Sequence, residues 1–206
     1  PMTAPADAQI PRQQPLEVAM PRILDLSLRD PWSRKGVVRH LVASLCEGTR
    51  GNSVEIRLAT LLTGLELLAW CRLVLESHKA EDKDFGRDFG PLLERMLSDD
   101  GVPLAVPDAL PDLARYAKAS SDANGVSGSG PKAIVMARNR LVHPPTHNRQ
   151  PPEIPQREQA WLLALWYLQL GILKRCGYNG DHLPPWAHTN EDAQRVPWAS
   201  AEQGTP

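Results

Sequence analysis

The sequence predicts an all-α protein, an up-and-down bundle of four to five main helices. Apolar residues recur at helical spacing in several segments, strand-like alternation is nearly absent, and prolines and glycines separate the segments. A chain of 206 residues, 42% of them hydrophobic, can bury one sizeable core. We therefore expect one helical domain at 23–183, a flexible proline-rich segment at 1–22 and a tail with Pro and Trp at 184–206.

The starts of the helices are predicted from capping residues and first-turn prolines: Ser33, Asn52 with Glu55, Pro91, Pro111 and Pro131. The first helix should extend to about Glu47 and the second, which carries a long leucine stripe, to about Lys79. The last helix, from about Arg157 to Arg175, is apolar on nearly every side. Such a helix is either buried at the centre of the bundle or shared with another subunit.

Composition and charge limit the possible function classes. The formal net charge is -1 at pH 7 and the pI is near 6.7, which excludes a uniformly basic nucleic-acid coat. Any contact with nucleic acid must therefore be local, through a basic cluster formed by Arg138, Arg140, Arg149 and Arg157. This balance of charge favours a site over a general binding surface.

Cysteine spacing and apolar runs predict a soluble, cytoplasmic protein without membrane contact. The three cysteines lie far apart in apolar helical stretches, so we expect buried free thiols: Cys46, Cys71 and Cys176. The longest wholly apolar run, Ala160–Leu168, is shorter than the roughly 20 residues that cross a bilayer. The amino terminus has no charged-then-apolar signal pattern.

The segment Arg138–His143, with the sequence RNRLVH, is the strongest functional signal. It lies at the end of a predicted helix and is followed at once by Pro144. The segment places a permanent cation, an amide and a titratable imidazole close together, which are groups that can hold a phosphate and transfer protons around it. We therefore predict that Arg138, Asn139 and His143 form a site.

Arg138 occupies a core-facing position of the predicted helix. At about 100° per residue, the apolar residues from Ile134 to Val142 fall in one arc, with Arg138 near its centre. A buried guanidinium needs a carboxylate or a cleft that admits solvent or ligand. Glu66, which interrupts the leucine stripe of the long helix, is the acid that we expect to pair with it.

The other two motif residues can approach Arg138 only if the helix ends at His143. Asn139 and His143 share a helix face, whereas Arg138 and His143 would diverge by roughly 140° on an ideal helix. Pro144 disfavours helical geometry at His143, so the imidazole is expected to turn away from the helix axis. Cation, amide and acid-base group can then converge.

These residues resemble the signature of HEPN domains, an Arg-x4-His motif with a polar residue directly after the Arg. The likeness extends from the long helix with Glu66, through VPLAVPDALPDL and ARNRLVHPP, to AWLLALWYLQLGILKRCGYNGDH. It is greatest to the HEPN-like domains found carboxy-terminal to other modules in bacterial phage-defence proteins of the ApeA type. Here no such module is present, which suggests a fragment or a stand-alone relative.

The resemblance implies a metal-independent endoribonuclease that acts as a homodimer in bacterial defence or as a toxin. His143 would perform acid-base chemistry, Arg138 would bind the phosphate, and Asn139 would orient the site. Arg140 and Arg149 are the expected RNA-binding residues. The partners are then RNA, a second copy docked through the motif helix and Trp161–Leu173, and an antitoxin or regulatory domain.

Several alternatives remain open from the sequence. The motif can belong to a non-catalytic HEPN-like module that binds RNA or nucleotides, or to an assembly domain in which Arg138 and Glu66 form a buried pair. Tyr178, in a predicted helix stop and turn, can reach the site as a supporting residue. We expect no metal and no cofactor, because the remaining histidines lack ligand spacing: His40, His78, His147, His182 and His188.

Overall fold

A computed structural model describes residues 21–23, 25, 36–50, 53–86, 88–124, 128–143 and 151–200. Residues 21–23 and 25 are helical. From residue 36 onward, these ranges form six α-helices and one two-stranded antiparallel sheet: α1 Val37–Glu47, α2 Val54–Trp70, α3 Phe89–Asp99, α4 Pro111–Asn124, α5 Gly130–Val142, α6 Ile154–Arg175, β1 Asp181–His182 and β2 Gln194–Arg195. The predicted all-α class is confirmed. The four longer helices are α2, α4, α5 and α6, whereas α1 and α3 have 11 residues each.

Local capping chemistry explains where the helices begin. Ser53, not Asn52, caps α2, because its hydroxyl accepts a hydrogen bond from the Ile56 N–H at 3.5 Å. Asn52 and Ser33 lie outside the described residues. α6 begins three residues before the predicted Arg157, since Glu153 and Gln156 form a reciprocal capping box.

α6 is the central helix of the bundle. It packs against α1, α2, α4 and α5, and its side chains from Leu163 to Leu168 are all buried. Of the two alternatives left open by its apolar sequence, a central position and a contact with another subunit, the structure therefore favours the central position. The expected dimer contact through Trp161–Leu173 is therefore wrong for most of that stretch, because helices of the same chain cover it.

Small residues allow α2 and α6 to approach closely. A Cβ atom at Gly64 would lie 2.8 Å from the Cβ of Ser44 and 3.1 Å from Cδ2 of Leu168. A Cβ atom at Gly171 would collide with Leu68. Because Gly64 meets Leu168 and Leu68 meets Gly171, the two helices run parallel.

Ion pairs connect α2 and α6 at both ends. Near their starts, Arg157 Nη1 lies 2.7 Å from Glu55 Oε1. At the far end, α2 continues as a π-helical turn, Cys71–Glu76, in which Glu76 accepts from Arg72 and from Arg175 of α6. Arg72 also pairs with the buried Asp100, which follows α3.

The continuous helix Val54–Glu76 is long and apolar enough to cross a membrane by length and composition, with a mean hydropathy of 1.7 in its most apolar window. Half of that window is buried inside the bundle. Core helices of water-soluble proteins meet the same criteria, so this segment is the core partner of α6 in the present fold.

The segment after α6 folds back onto the bundle. Trp198 is buried, and its indole N–H donates to the Tyr178 carbonyl at 2.8 Å. The Trp186 ring meets the Trp166 ring edge-on at 5.1 Å. Trp186 and Trp198 therefore hold the described part of this segment against the bundle.

His182 connects this C-terminal segment to α6 through its imidazole. Its Nε2 accepts from the Trp166 indole N–H at 2.9 Å, which places the proton on Nδ1 for donation to the Gln194 carbonyl at 2.9 Å. Burial lowers the pKa of His182, and this effect outweighs the opposite influence of Gln194 and of the Asp181 carboxylate. The imidazole is therefore neutral in the fold.

This geometry predicts acid-sensitive stability. Because the pKa of His182 is lower in the folded protein than in the unfolded chain, the unfolded state binds more protons as the pH falls below about 6.5. The contribution of His182 to the free energy of unfolding should be complete above that pH and should decrease as the pH falls toward the lowered pKa. Urea unfolding between about pH 5 and pH 8 measures the slope.

The variant His182→Gln can still accept and donate, so it should flatten this dependence. His188→Gln, at an exposed histidine, is the matched control and should leave the slope unchanged. An unchanged slope in His182→Gln would contradict the assignment.

Candidate active site

The direction of α5 determines where the RNRLVH segment lies. Gly130, at the start of α5, packs against Leu163 in the middle of α6. Near the end of α5, the Arg140 guanidinium lies 5.2 Å from the centre of the Tyr116 ring on α4. The first turn of α4 is hydrogen-bonded to Gln159, near the start of α6. α5 thus runs antiparallel to α6, and its C-terminus lies where α2 and α6 begin; we call this region the motif end.

Capping and packing orient α5 so that the motif follows its buried face. Ser129 caps the helix by accepting from the Lys132 N–H at 3.4 Å. Ala133, Ile134 and Ala137 are buried in the core, as their spacing predicts. Arg138 comes directly after this face and is half-buried.

Arg138 is held by a neutral neighbour. Its Nη1 donates to Oδ1 of Asn139 at 3.0 Å, which fixes the guanidinium relative to the exposed amide. Within the described ranges, no carboxylate forms an ion pair with Arg138. Among the described side chains, the positive charge of Arg138 is therefore left without an anion.

The predicted ion pair between Arg138 and Glu66 is wrong. Along the axis of α6, Glu66 lies near Leu168, because it comes two residues after Gly64, which contacts Leu168. Arg138 lies closer to the height of Gln159. Nine residues of α6 separate these levels, which is roughly 10–15 Å along the helix axis. Both side chains are half-buried, but at different heights of the bundle.

His143 ends α5 in the way that the following proline predicts. Its backbone is extended, with φ -113° and ψ 97°, and its N–H donates to the Asn139 carbonyl at 2.9 Å. The imidazole is exposed to solvent. In the described structure no hydrogen bond joins the imidazole to the side chain of Arg138 or Asn139, so one chain supplies these groups side by side without linking them.

Tyr178 does not belong to this region. It follows the C-terminal cap of α6, at the opposite end of that helix, and its hydroxyl donates to the Asp181 carbonyl at 2.6 Å. The predicted helix stop is confirmed, since Gly177 adopts φ 62° and the Tyr178 N–H reaches back to the Leu173 carbonyl. The supporting role expected for Tyr178 is thus wrong within one chain.

The two expected RNA-binding arginines differ in outcome. Arg140 is half-buried over the Tyr116 ring, and no described carboxylate pairs with it. Arg149 lies outside the described residues. The motif end therefore contains at least two guanidinium groups without an acidic partner among the described side chains, Arg138 and Arg140.

Sequence reasoning missed an apolar rim at the motif end. Ile56 near the start of α2, Val142 at the end of α5 and Ile154 at the start of α6 are 55%, 47% and 64% exposed. Large apolar side chains this exposed are a signal for an interface when they share one end of a domain. The sequence shows that these residues lie near helix ends. That the three helix ends lie at the same end of the bundle follows only from the directions in which the helices run.

A cleft of about 740 Å³ lies beside the first turn of α4 and is bordered by α6 and the C-terminal segment. Leu110, Gln159 and Trp186 are among its lining residues, and none of the residues predicted as site residues borders it. The described part of the chain contains no group of three or more His, Cys, Asp or Glu side chains that could hold a metal ion.

The structure thus defines an all-α domain with an Arg, an amide and a His at one helix end. Its sequence belongs to the YopA C-terminal domain family, which matches residues 34–190. The chain is 24% identical over 170 residues to the SPbeta prophage-derived uncharacterized protein YopA of Bacillus subtilis (strain 168), covering 82% of this chain and 36% of that protein. The chain therefore spans about a third of the length of this relative. No solved structure matches the chain.

The positions of Glu66 and Asp100 give opposite expectations for stability. Glu66→Gln should change the free energy of unfolding by less than about 0.5 kcal/mol, because Glu66 forms no ion pair among the described residues. Asp100→Asn should cost about 2 kcal/mol, because it weakens a buried pair with Arg72. Chemical denaturation of both variants measures the difference, and equal losses would indicate that Glu66 pairs with a cation after all.

Proposed function

We propose that this domain is a HEPN-like, metal-independent endoribonuclease with Arg138, Asn139 and His143 as its site. The observation that carries the proposal is the state of Arg138. Its guanidinium is oriented by the neutral Asn139 amide, has no described acidic partner and lies at the helix end that presents the exposed His143. Phosphate is one of the anions that a guanidinium binds through two parallel hydrogen bonds.

The proposed reaction needs two proton transfers. One group removes the proton from the 2'-hydroxyl of the RNA, whose oxygen then bonds to phosphorus while the bond to the 5'-oxygen breaks. A second group protonates the leaving 5'-oxygen, and Arg138 stabilises the charge on phosphorus. One chain contributes one His143, so the second proton-transfer group comes from a two-fold related copy.

The apolar rim supports this homodimer. Ile56, Val142 and Ile154 surround the motif end with exposed apolar surface, which an isologous contact would remove from water. Such a contact would bring the C-termini of two α5 helices together. It replaces the central part of α6 as the proposed interface.

The prophage origin of the Bacillus relative supports a role in conflict between phage and host. A ribonuclease of this kind requires restraint, so an antitoxin or a regulatory domain is a proposed partner. RNA as the substrate places the proposed site of action in the cytoplasm.

A non-catalytic module that binds RNA or nucleotides is the second candidate. It is favoured by the fact that the Arg138 and His143 side chains are not hydrogen-bonded to each other in the described structure. The assembly alternative has less support, because it required Arg138 to pair with Glu66 and Trp161–Leu173 to lie at the surface.

Cleavage of RNA in excess chelator tests the proposal. The purified protein should yield fragments with 2',3'-cyclic phosphate and 5'-hydroxyl ends. His143→Ala and Arg138→Ala should each abolish the products while the circular dichroism melting curve stays unchanged, because both side chains lie outside the core. His188→Ala is the matched histidine control and should retain full activity.

Products that persist in His143→Ala, or that require added Mg²⁺, would reject the proposed nuclease. Salt-sensitive RNA binding that is lost in Arg138→Ala, with no product under any condition, would instead support the non-catalytic candidate.

A further inference from the structure

Tyr116 carries a buried hydroxyl whose proton has no acceptor in the described part of the chain. The residue lies on α4, and only 7% of its surface is exposed. Buried polar groups in folded proteins are nearly always hydrogen-bonded, so a group of this kind calls for an explanation. Leaving it unpaired costs about 1–3 kcal/mol.

Arg140 of the motif helix lies against this residue. Its guanidinium carbon is 5.2 Å from the centre of the Tyr116 ring, a cation-π distance. Burial raises the pKa of Tyr116, although the charge of Arg140 and its hydrogen-bond contact with the hydroxyl oxygen act in the opposite direction. The phenol therefore remains a protonated donor at neutral pH. Two donor groups are therefore adjacent, and the proton of the Tyr116 hydroxyl has no described acceptor.

We propose that Arg140 and the Tyr116 hydroxyl form an oxyanion subsite that binds a phosphate group. The aromatic ring holds the guanidinium in place, and the hydroxyl donates to a phosphate oxygen once the guanidinium has engaged it. The energetic cost of the unpaired hydroxyl is then recovered only when an anion is bound. Tyr116 is a binding residue that local sequence does not reveal.

The subsite is separate from Arg138. Residues 138 and 140 are two apart on α5, so their side chains leave the helix axis at angles about 160° apart. Arg138 turns to Asn139, and Arg140 turns to α4. A ligand that occupies both Arg138 and the Arg140–Tyr116 subsite therefore needs two phosphates. A polynucleotide has them and a nucleoside monophosphate does not, so we infer that the ligand is a polynucleotide. The binding of a phosphate by Arg138 in this inference rests on the proposed function.

Stability and affinity should respond in opposite directions to loss of the hydroxyl. Tyr116→Phe keeps the ring under Arg140 and removes the unpaired donor, so thermal stability should stay equal or rise. Affinity for a fluorescent 2'-O-methyl RNA oligonucleotide, which lacks the attacking 2'-hydroxyl, should fall about tenfold in anisotropy titrations. Affinity for a single nucleoside monophosphate should fall less, because its one phosphate can bind at Arg138 instead.

Two further variants sharpen the test. Arg140→Gln should weaken oligonucleotide binding by at least about tenfold, and adding Tyr116→Phe to it should cause little further loss, because both groups bind one phosphate. Tyr178→Phe is the matched control, since its hydroxyl is already bonded to the Asp181 carbonyl. It should lower stability and leave affinity unchanged.

The proposal is overturned if Tyr116→Phe lowers stability as Tyr178→Phe does and leaves oligonucleotide affinity intact. Its failure is distinguishable from failure of the nuclease. Weaker binding in Tyr116→Phe combined with no cleavage by the unaltered protein supports the subsite and rejects the nuclease. Cleavage with no effect of Tyr116 on binding does the reverse.

Discussion

The close parallel packing of α2 and α6 is the constraint on which the rest of the fold depends. Gly64 and Gly171 let the two helices approach until Leu168 and Leu68 fill the space between them. Because α6 is apolar on nearly every side, it must be covered on all sides. Helices α1, α4 and α5 and the C-terminal segment provide the rest of this cover. Half-buried ion pairs of Arg72 and Arg175 hold the far end of the two helices. The starts of α2 and α6 and the end of α5 then form one face.

That arrangement determines what the motif can do. Because α5 is antiparallel to α6, its last turn is carried to the motif end, away from both Glu66 and Tyr178. Arg138 is left with Asn139 as its described partner. The consequence is a helix end with an exposed imidazole, an apolar border and positive charge that has no acidic partner among the described residues. The proposed dimer site requires these features.

Features set by neighbouring residues could be predicted from the sequence, and features set by distant ones could not. Pro111 begins α4, Gly177 ends α6, and His143 is extended, because capping and proline geometry act within a few residues. The pairing of Arg138 with Glu66 depended on the relative height of two helices, which periodicity does not encode. The unpaired Tyr116 hydroxyl is likewise a property of the packed bundle, since nothing local distinguishes it from a bonded one.

The central claim is that two copies meet through the motif end. Pulsed dipolar EPR tests it with a nitroxide label at Ile154→Cys in one variant and at Ser98→Cys, near the far end, in another. Both variants carry Cys46→Ser, because Cys46 is exposed and would also be labelled, whereas Cys71 and Cys176 are buried. We expect dipolar coupling in the purified protein, with a shorter distance between the labels at position 154 than between those at position 98. Absence of coupling at both positions, or a shorter distance at position 98, would contradict it.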